Sequence, residues 1–208
     1  MAAEKGGAIV FKRTAANANQ PFLSDVTFHG NHAVDGGAIS IDQYGHPILE
    51  SVTISGNSAD NRGGAIFGEC SSSPSTLCFS ASIVSGGRVI FVDDVAAQGP
   101  EIFVNAYVAV FLNNSLVYNT SAGQGACPAT NCESMVYADP KLGALADNGG
   151  PTLTMLPGQG SAAIDAVSCV TYVDQRGFAR PKGPQCDIGA VEAFERIFAD
   201  GFDGEMVP

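Results

Sequence analysis

Apolar and polar residues alternate along this chain in short runs, and one of the runs returns. Leu23-Ser24-Asp25-Val26-Thr27-Phe28-His29-Gly30-Asn31 recurs 26 residues later as Leu49-Glu50-Ser51-Val52-Thr53-Ile54-Ser55-Gly56-Asn57, with Leu, Val, Thr, Gly and Asn in matching places. Phe79-Ser80-Ala81-Ser82-Ile83-Val84-Ser85-Gly86-Gly87 reads as a looser third copy, 30 residues further on. A second motif follows the first two copies, as Gly36-Gly37-Ala38-Ile39 and Gly63-Gly64-Ala65-Ile66. It also occurs early, at Gly6-Gly7-Ala8-Ile9, and in degenerate form at Gly99-Pro100-Glu101-Ile102. Strand periodicity puts Val26 and Phe28 on one face and Thr27 on the other, while Ile39 and Ile41 bracket Ser40 in the same way.

A repeat of this length fits one coil of a β-solenoid, with three short strands and three corners. The expected fold is all-β, a right-handed parallel β-helix. Coils about 4.8 Å apart would pile Val26 on Val52, and Phe28 on Ile54 on Val84. No coil buries its apolar face alone; the stack does. Asn31 and Asn57 then lie one above the other, where their amides form a structural ladder. The coils are expected over residues 1–125. Residues 126–196 would hold the last coils and an irregular, disulfide-bonded C-terminal cap, and 197–208 an acidic, flexible tail. Strand-like pieces at 162–166 and 188–194 stand among turn signals such as Asn148-Gly149-Gly150-Pro151. The cap is expected to cover the open end of the stack, where a sheet edge would otherwise face solvent.

Composition narrows the class. Of 208 residues 25 are glycine and none is tryptophan, which suits many short strands joined by tight turns. A net charge of −11 argues against a nucleic-acid partner, since phosphate binding needs a basic face. Six cysteines form three sequence-local pairs, Cys70 with Cys78, Cys127 with Cys132 and Cys169 with Cys186. Locality favours this pairing among the fifteen connectivities six cysteines allow, and disulfides imply an oxidising compartment. With only three histidines and no C-x-x-C spacing, no zinc site is expected. No cofactor is called for; calcium at Asp139, Asp147 or Asp165 is the open alternative, without the ligand spacing of an EF-hand loop. No apolar run is long enough to span a membrane. The native protein is expected to extend on the N-terminal side of Met1.

The Gly-Gly-Ala-Ile motifs, with Phe28-His29-Gly30-Asn31 and Ile54-Ser55-Gly56-Asn57, resemble the repeats of polymorphic outer-membrane proteins. Those are bacterial β-helical surface proteins, several of them adhesins, and the resemblance covers residues 6 to about 67. The runs Asp139-Pro140-Lys141-Leu142-Gly143, Asp147-Asn148-Gly149-Gly150-Pro151-Thr152, Ser161-Ala162-Ala163-Ile164-Asp165-Ala166 and Asp187-Ile188-Gly189-Ala190-Val191-Glu192 resemble the C-terminal region of choice-of-anchor Q type secreted proteins. Ala162 and Val167 depart from that pattern, where proline and glycine are usual. Both resemblances imply export and an extracellular or cell-surface location. Neither carries an active site that could be transferred.

Polysaccharide lyases on this fold need a basic group beside a uronate carboxylate, usually with aspartates that hold calcium. The repeat columns gather His32, Asp35, Asp60, Arg62 and Arg88 at one corner, with Asp93 and Asp94 further along. In the cap, Asp165, Asp174, Arg176, Arg180 and Asp187 are either a carboxylate pair with an arginine clamp or a buried ion network. Tyr44, Tyr107 and Tyr118 are the aromatics expected to face outward. Elsewhere the outward columns are Ser, Thr, Gly and Asn, too small and neutral to move protons. The leading expectation is a non-catalytic extracellular module: an adhesin, passenger or spacer contacting glycan or protein. The alternative is a carbohydrate-active enzyme, a polysaccharide lyase or a glycoside hydrolase.

Overall fold

The computed structural model describes residues 3–12, 20–42, 45–69, 83–104, 108–118 and 131–193. These form a parallel β-solenoid of about three turns, without helix. The first coil gives β1 (Ala3–Lys5) and β2 (Ile9–Phe11); the second gives β3 (Phe22–His29), β4 (His32–Asp35) and β5 (Ile39–Ile41). The third gives β6 (Ile48–Ser55), β7 (Ser58–Arg62) and β8 (Ile66–Gly68). β9 (Ile83–Gly87), β10 (Ile90–Val92) and β11 (Ile102–Val104) follow, then β12 (Ala109–Asn113), β13 (Leu116–Tyr118) and β14 (Asn131–Glu133). The first wall stacks β1, β4 and β7, and the second β2, β5, β8 and β11. The third runs from β3 to β6, which then meets both β9 and β10.

The long third-wall strands do not alternate strictly. Leu49, Val52 and Ile54 are all fully buried, at spacings of three and two. Ser51 between them has φ 53°, and the residues stacked with it, Asp25, Arg88, Asn114 and Ser134, have φ 53°, 56°, 47° and 51°. One left-handed residue per coil kinks each strand and resets which face points inward. The Gly-Gly corners have two separate causes. Gly36 and Gly63 sit at φ 70° and 64°, which side chains disfavour. Gly37 and Gly64 are instead pressed by the next coil: an added Cβ would lie 2.2 Å from Gly64 O and 2.3 Å from Pro100 O. In the fourth copy Gly99 keeps its positive φ of 56°, while Pro100 takes the second place; among the described residues β11 is the last strand of its wall.

The stack on Ile54 begins with Phe28 as expected, but the next residue is Phe91, not Val84. Val84 lies on β9 and pairs with Val110. The copy that stacks on the second coil is Gly86–Asp94, 37 residues after Leu49–Asn57 and seven beyond the one expected from the sequence. A length change between β8 and β9 hid this, and Ser85-Gly86-Gly87 imitates Ser55-Gly56-Asn57. Arg88 therefore stacks on Ser51 rather than Ser58, whose neighbour in the next coil is Val95.

Residues 139–193 hold no strand, only isolated bridges such as Val167 with Cys186, so the strand-like piece at 162–166 is a turn and 188–193 a bend; residue 194 lies outside the described residues. Nor does this segment simply plug the end of the stack. It folds back along the outer face of the third wall. Ala190 N donates to Thr53 Oγ1 (3.0 Å), Gly189 N to Arg88 O (3.0 Å) and Thr27 Oγ1 to Gln175 Oε1 (2.6 Å). Ile90, Val92 and Leu116 meet Ala163, Val167, Cys186 and Ile188 there in a second apolar cluster. The outward Thr53 is therefore buried, not solvated.

Candidate functional site

The first expected cluster lies where the first and second walls meet. The Gly-Gly turns bring the end of one strand face to face with the outward residue of the next. Arg62, closing β7, donates from Nε and Nη2 to both oxygens of Asp35, at 3.0 and 2.9 Å. Its guanidinium lies 4.5 Å over the Phe67 ring and 5.5 Å from that of Phe103. Nη1 is 3.6 Å from Glu69, whose other partner is Lys5 at 3.9 Å. Lys5 also meets Asp42 at 3.4 Å. The Asp35 bond raises the Arg62 pKa further, so the guanidinium is a permanent cation. The corner is thus a strip of alternating charges, each answered by its neighbour.

His32 and Asp60 stand apart from it. His32 Nδ1 is 2.9 Å from Ser58 Oγ and Nε2 is 3.5 Å from Asp60, in an exposed pair on the first wall. Arg88 is elsewhere altogether. It bonds Glu50 (3.0 Å) and the carbonyl of Ser168 (2.7 Å), tying the third wall to the cap. Burial raises the Glu50 pKa, and the Arg88 pair offsets part of that. The five-residue corner patch read from the sequence is therefore three separate contacts.

In the cap the expected charges do come together. Arg180 pairs with Glu192 and donates to Gly189 O (2.8 Å), and it reaches Asp25 on β3 at 3.4 Å. Arg176 holds Asp174 at 2.6 Å. Burial pushes the Asp174 pKa up, but the Arg176 pair and three backbone N–H groups outweigh it, and the net shift is downward. Asp187 accepts from Asp165 N (2.8 Å) and from Ala193 N. Its pKa is pushed up to about 6, chiefly by burial, with Glu192 and Asp165 adding to the rise. Asp165 accepts in turn from Gln185 N (3.2 Å). These carboxylates are spent on backbone donors of an irregular segment.

The sequence names Asp94 as a carboxylate beyond the corner but not its place in the ladder. Asp94 occupies the ladder place of Asn31 and Asn57. Asn31 N and Nδ2 donate to Asn57 Oδ1 (2.9 and 2.8 Å), and Asn57 N and Nδ2 donate in the same way to Asp94 Oδ1 (2.7 and 2.8 Å). Burial raises the Asp94 pKa to about 7, against its hydrogen bonds with Glu101 and Asn57. Glu101 stands one place before Ile102, where the earlier coils have Ala38 and Ala65, and is buried. An offset of 37 residues sets Asp94 at the ladder place of Asn57, and one of 36, after the register shortens between Val95 and Gln98, sets Glu101 at the interior place of Ala65.

Among the described residues no group of three or more His, Cys, Asp or Glu is placed to hold a metal. The Cys169–Cys186 disulfide closes a loop in the cap. Cys70, Cys78 and Cys127, and the side chain of Cys132, lie outside the described residues, as do Tyr44 and Tyr107. Tyr118 is half-buried against the second cluster, and among the described tyrosines Tyr172 is the one that faces solvent, 91% exposed.

Residues 25–42 and 51–69 match the Chlamydia polymorphic membrane protein repeat. Each match runs from the kink of a third-wall strand through the Gly-Gly corner into the second wall, one coil apiece. The family is one of bacterial outer-membrane or surface proteins. No curated protein and no solved structure matches the chain. The likeness of residues 139–192 to choice-of-anchor Q proteins rests on the motifs alone.

Proposed function

We propose that this chain is a non-catalytic β-helix module displayed on the outside of a bacterial cell, where its uncovered walls contact glycan or protein. The repeat match and the Cys169–Cys186 disulfide support the location. The role rests on one observation above all: the carboxyls with strongly raised pKa values are interior. Asp94 and Asp187 are 0% and 2% exposed, and both accept hydrogen bonds from the protein's own backbone. General acid–base work needs such a group within reach of substrate. Of the other candidates, Asp35 is itself buried and paired with Arg62, and the exposed His32 faces Asp60.

The test joins an activity screen to a display assay. Polygalacturonate, alginate and neutral polysaccharides are incubated with the protein, with and without calcium, and read by unsaturated-product absorbance and reducing ends. No turnover is expected, together with accessibility of the protein to antibody on intact cells. Turnover abolished by Asp35→Asn or Arg62→Ala, in a protein that still folds, would establish the lyase alternative. Turnover lost on Asp187→Asn would place a hydrolytic site in the cap.

A further inference from the structure

One contact between the third wall and the cap joins two neutral side chains that can react with each other. Thr27 Oγ1 donates to Gln175 Oε1 at 2.6 Å, in a half-buried pair 148 residues apart in sequence. A hydroxyl oxygen so placed stands roughly 3–4 Å from the carboxamide carbon, close to the separation from which attack begins. Thr53, which stacks on Thr27, has an ordinary role by comparison: its Oγ1 accepts the backbone N–H of Ala190 (3.0 Å).

Both partners are held from behind. Thr27 is fixed in β3 by the pairing of that strand with β6. Gln175 N donates to Ala190 O (2.9 Å), and its chain neighbours Asp174 and Arg176 form a buried ion pair. At the far end of the side chain Nε2 donates to Thr152 Oγ1 (3.0 Å), so the carboxamide cannot turn without losing a bond on each side. A hydroxyl and an amide oriented in this way react without the entropic cost of an encounter.

A base stands on the same strand. His29 is the next outward residue of β3, about 6.5–7 Å along it, within reach of the Thr27 hydroxyl directly or through one water. Its Nδ1 lies 2.9 Å from Ser55 O. A carbonyl only accepts, so Nδ1 carries the proton and the other nitrogen of the neutral ring keeps its lone pair.

We propose that Thr27 and Gln175 form an intramolecular ester, a self-made covalent bond between wall and cap. The His29 ring takes the hydroxyl proton as Thr27 Oγ1 adds to the carboxamide carbon of Gln175. The tetrahedral adduct then collapses: the bond from carbon to the amide nitrogen breaks, His29 passes the proton to that nitrogen, and ammonia leaves. One hydroxyl and one carboxamide become one ester and one ammonia, with no change of oxidation state and no co-reactant. The bond pins the cap at a single point, and Arg180 and Ala190 still set how closely the rest lies on the wall. The assignment is independent of what the uncovered walls contact.

The 208-residue protein is reduced, denatured and its intact mass measured; it is then digested with trypsin, which cuts after Arg13, Arg62, Lys141 and Arg176. The expected mass is that of the sequence less one ammonia. Peptides 14–62 and 142–176 should be joined, and mild alkali, which hydrolyses esters and spares amides, should part them. Thr27→Ser keeps the hydroxyl and should still link, whereas Thr27→Val fills the same space without it and should show the full mass. His29→Ala should fold and remain largely unlinked. Full mass in the parent protein, ammonia lost with the two peptides separate, or a link that survives Thr27→Val would each overturn the proposal. A His29→Ala protein that links as fast as the parent would overturn the assigned base.

Discussion

Asp94 shows how much one atom type can matter in a ladder. An asparagine there would offer the same acceptor to Asn57 and a donor to Glu101; the aspartate offers only oxygen unless protonated. Its pKa near 7 lies above the ordinary aspartate value of 3.8, so the folded chain holds this proton more tightly than the unfolded chain. Its contribution is therefore most favourable at low pH and is lost as pH rises from about 4 through 7. Asp94→Asn should remove most of that fall, because the amide does not titrate and can donate to Glu101. Thermal melts at pH 5 and pH 8 are the measurement. The expected result is a Tm higher by about 3 °C or more at pH 8, with little gain at pH 5. Equal shifts at both pH values would refute the titration argument.

At the scale of the element, the Gly-Gly corner separates two kinds of glycine requirement. Gly64→Ala puts a methyl 2.3 Å from Pro100 O, backbone that cannot move without shifting a whole coil. Gly30→Ala meets only its φ of 66°, in open space. The first should cost more than about 3 kcal/mol or prevent folding, and the second about 1 kcal/mol. Urea denaturation of the two variants tests the difference, and comparable costs would mean the coils are not stacked as described. The strand kink belongs to this scale too. Spacings of three and two in Leu23, Val26, Phe28 can be read as strand periodicity only if a left-handed residue is inserted. Asp25, Ser51, Arg88, Asn114 and Ser134 share no chemistry that would announce it.

For the whole molecule, the cap acts as a fourth layer on one wall, and Arg180 joins the two. Its side chain is 1% exposed and meets Glu192 of the cap, Gly189 O and Asp25 of β3. Arg180→Ala would leave Glu192 buried without its cation. A loss of about 3–5 kcal/mol is expected, as for other broken buried pairs. Exchange protection should fall at Thr27 and Thr53 as the cap loosens, while the second wall, which the cap does not touch in these contacts, keeps its protection. Uniform loss across all walls would show that cap and coils unfold as one unit.

The sequence by itself determined the solenoid, because its two clean copies encode the same inward face, corner and ladder, and stacking only repeats them. Phe28 over Ile54, Asn31 over Asn57 and Asp35 beside Arg62 follow from that repetition. It also carried the Cys169–Cys186 pair, since those residues close a local loop. Only the tertiary structure decided where repetition stops. The register past β8 depends on a length change that a degenerate copy cannot reveal, and it moved Phe91 into the core and Arg88 out of the corner. The place of residues 139–193 was undecided for a different reason. Their apolar residues have no period, so Ile188 and Val167 name no partner until Ile90 and Leu116 are seen facing them. Periodicity fixes contacts between repeated parts; contacts between unlike parts depend on shape, which exists only after the chain has folded.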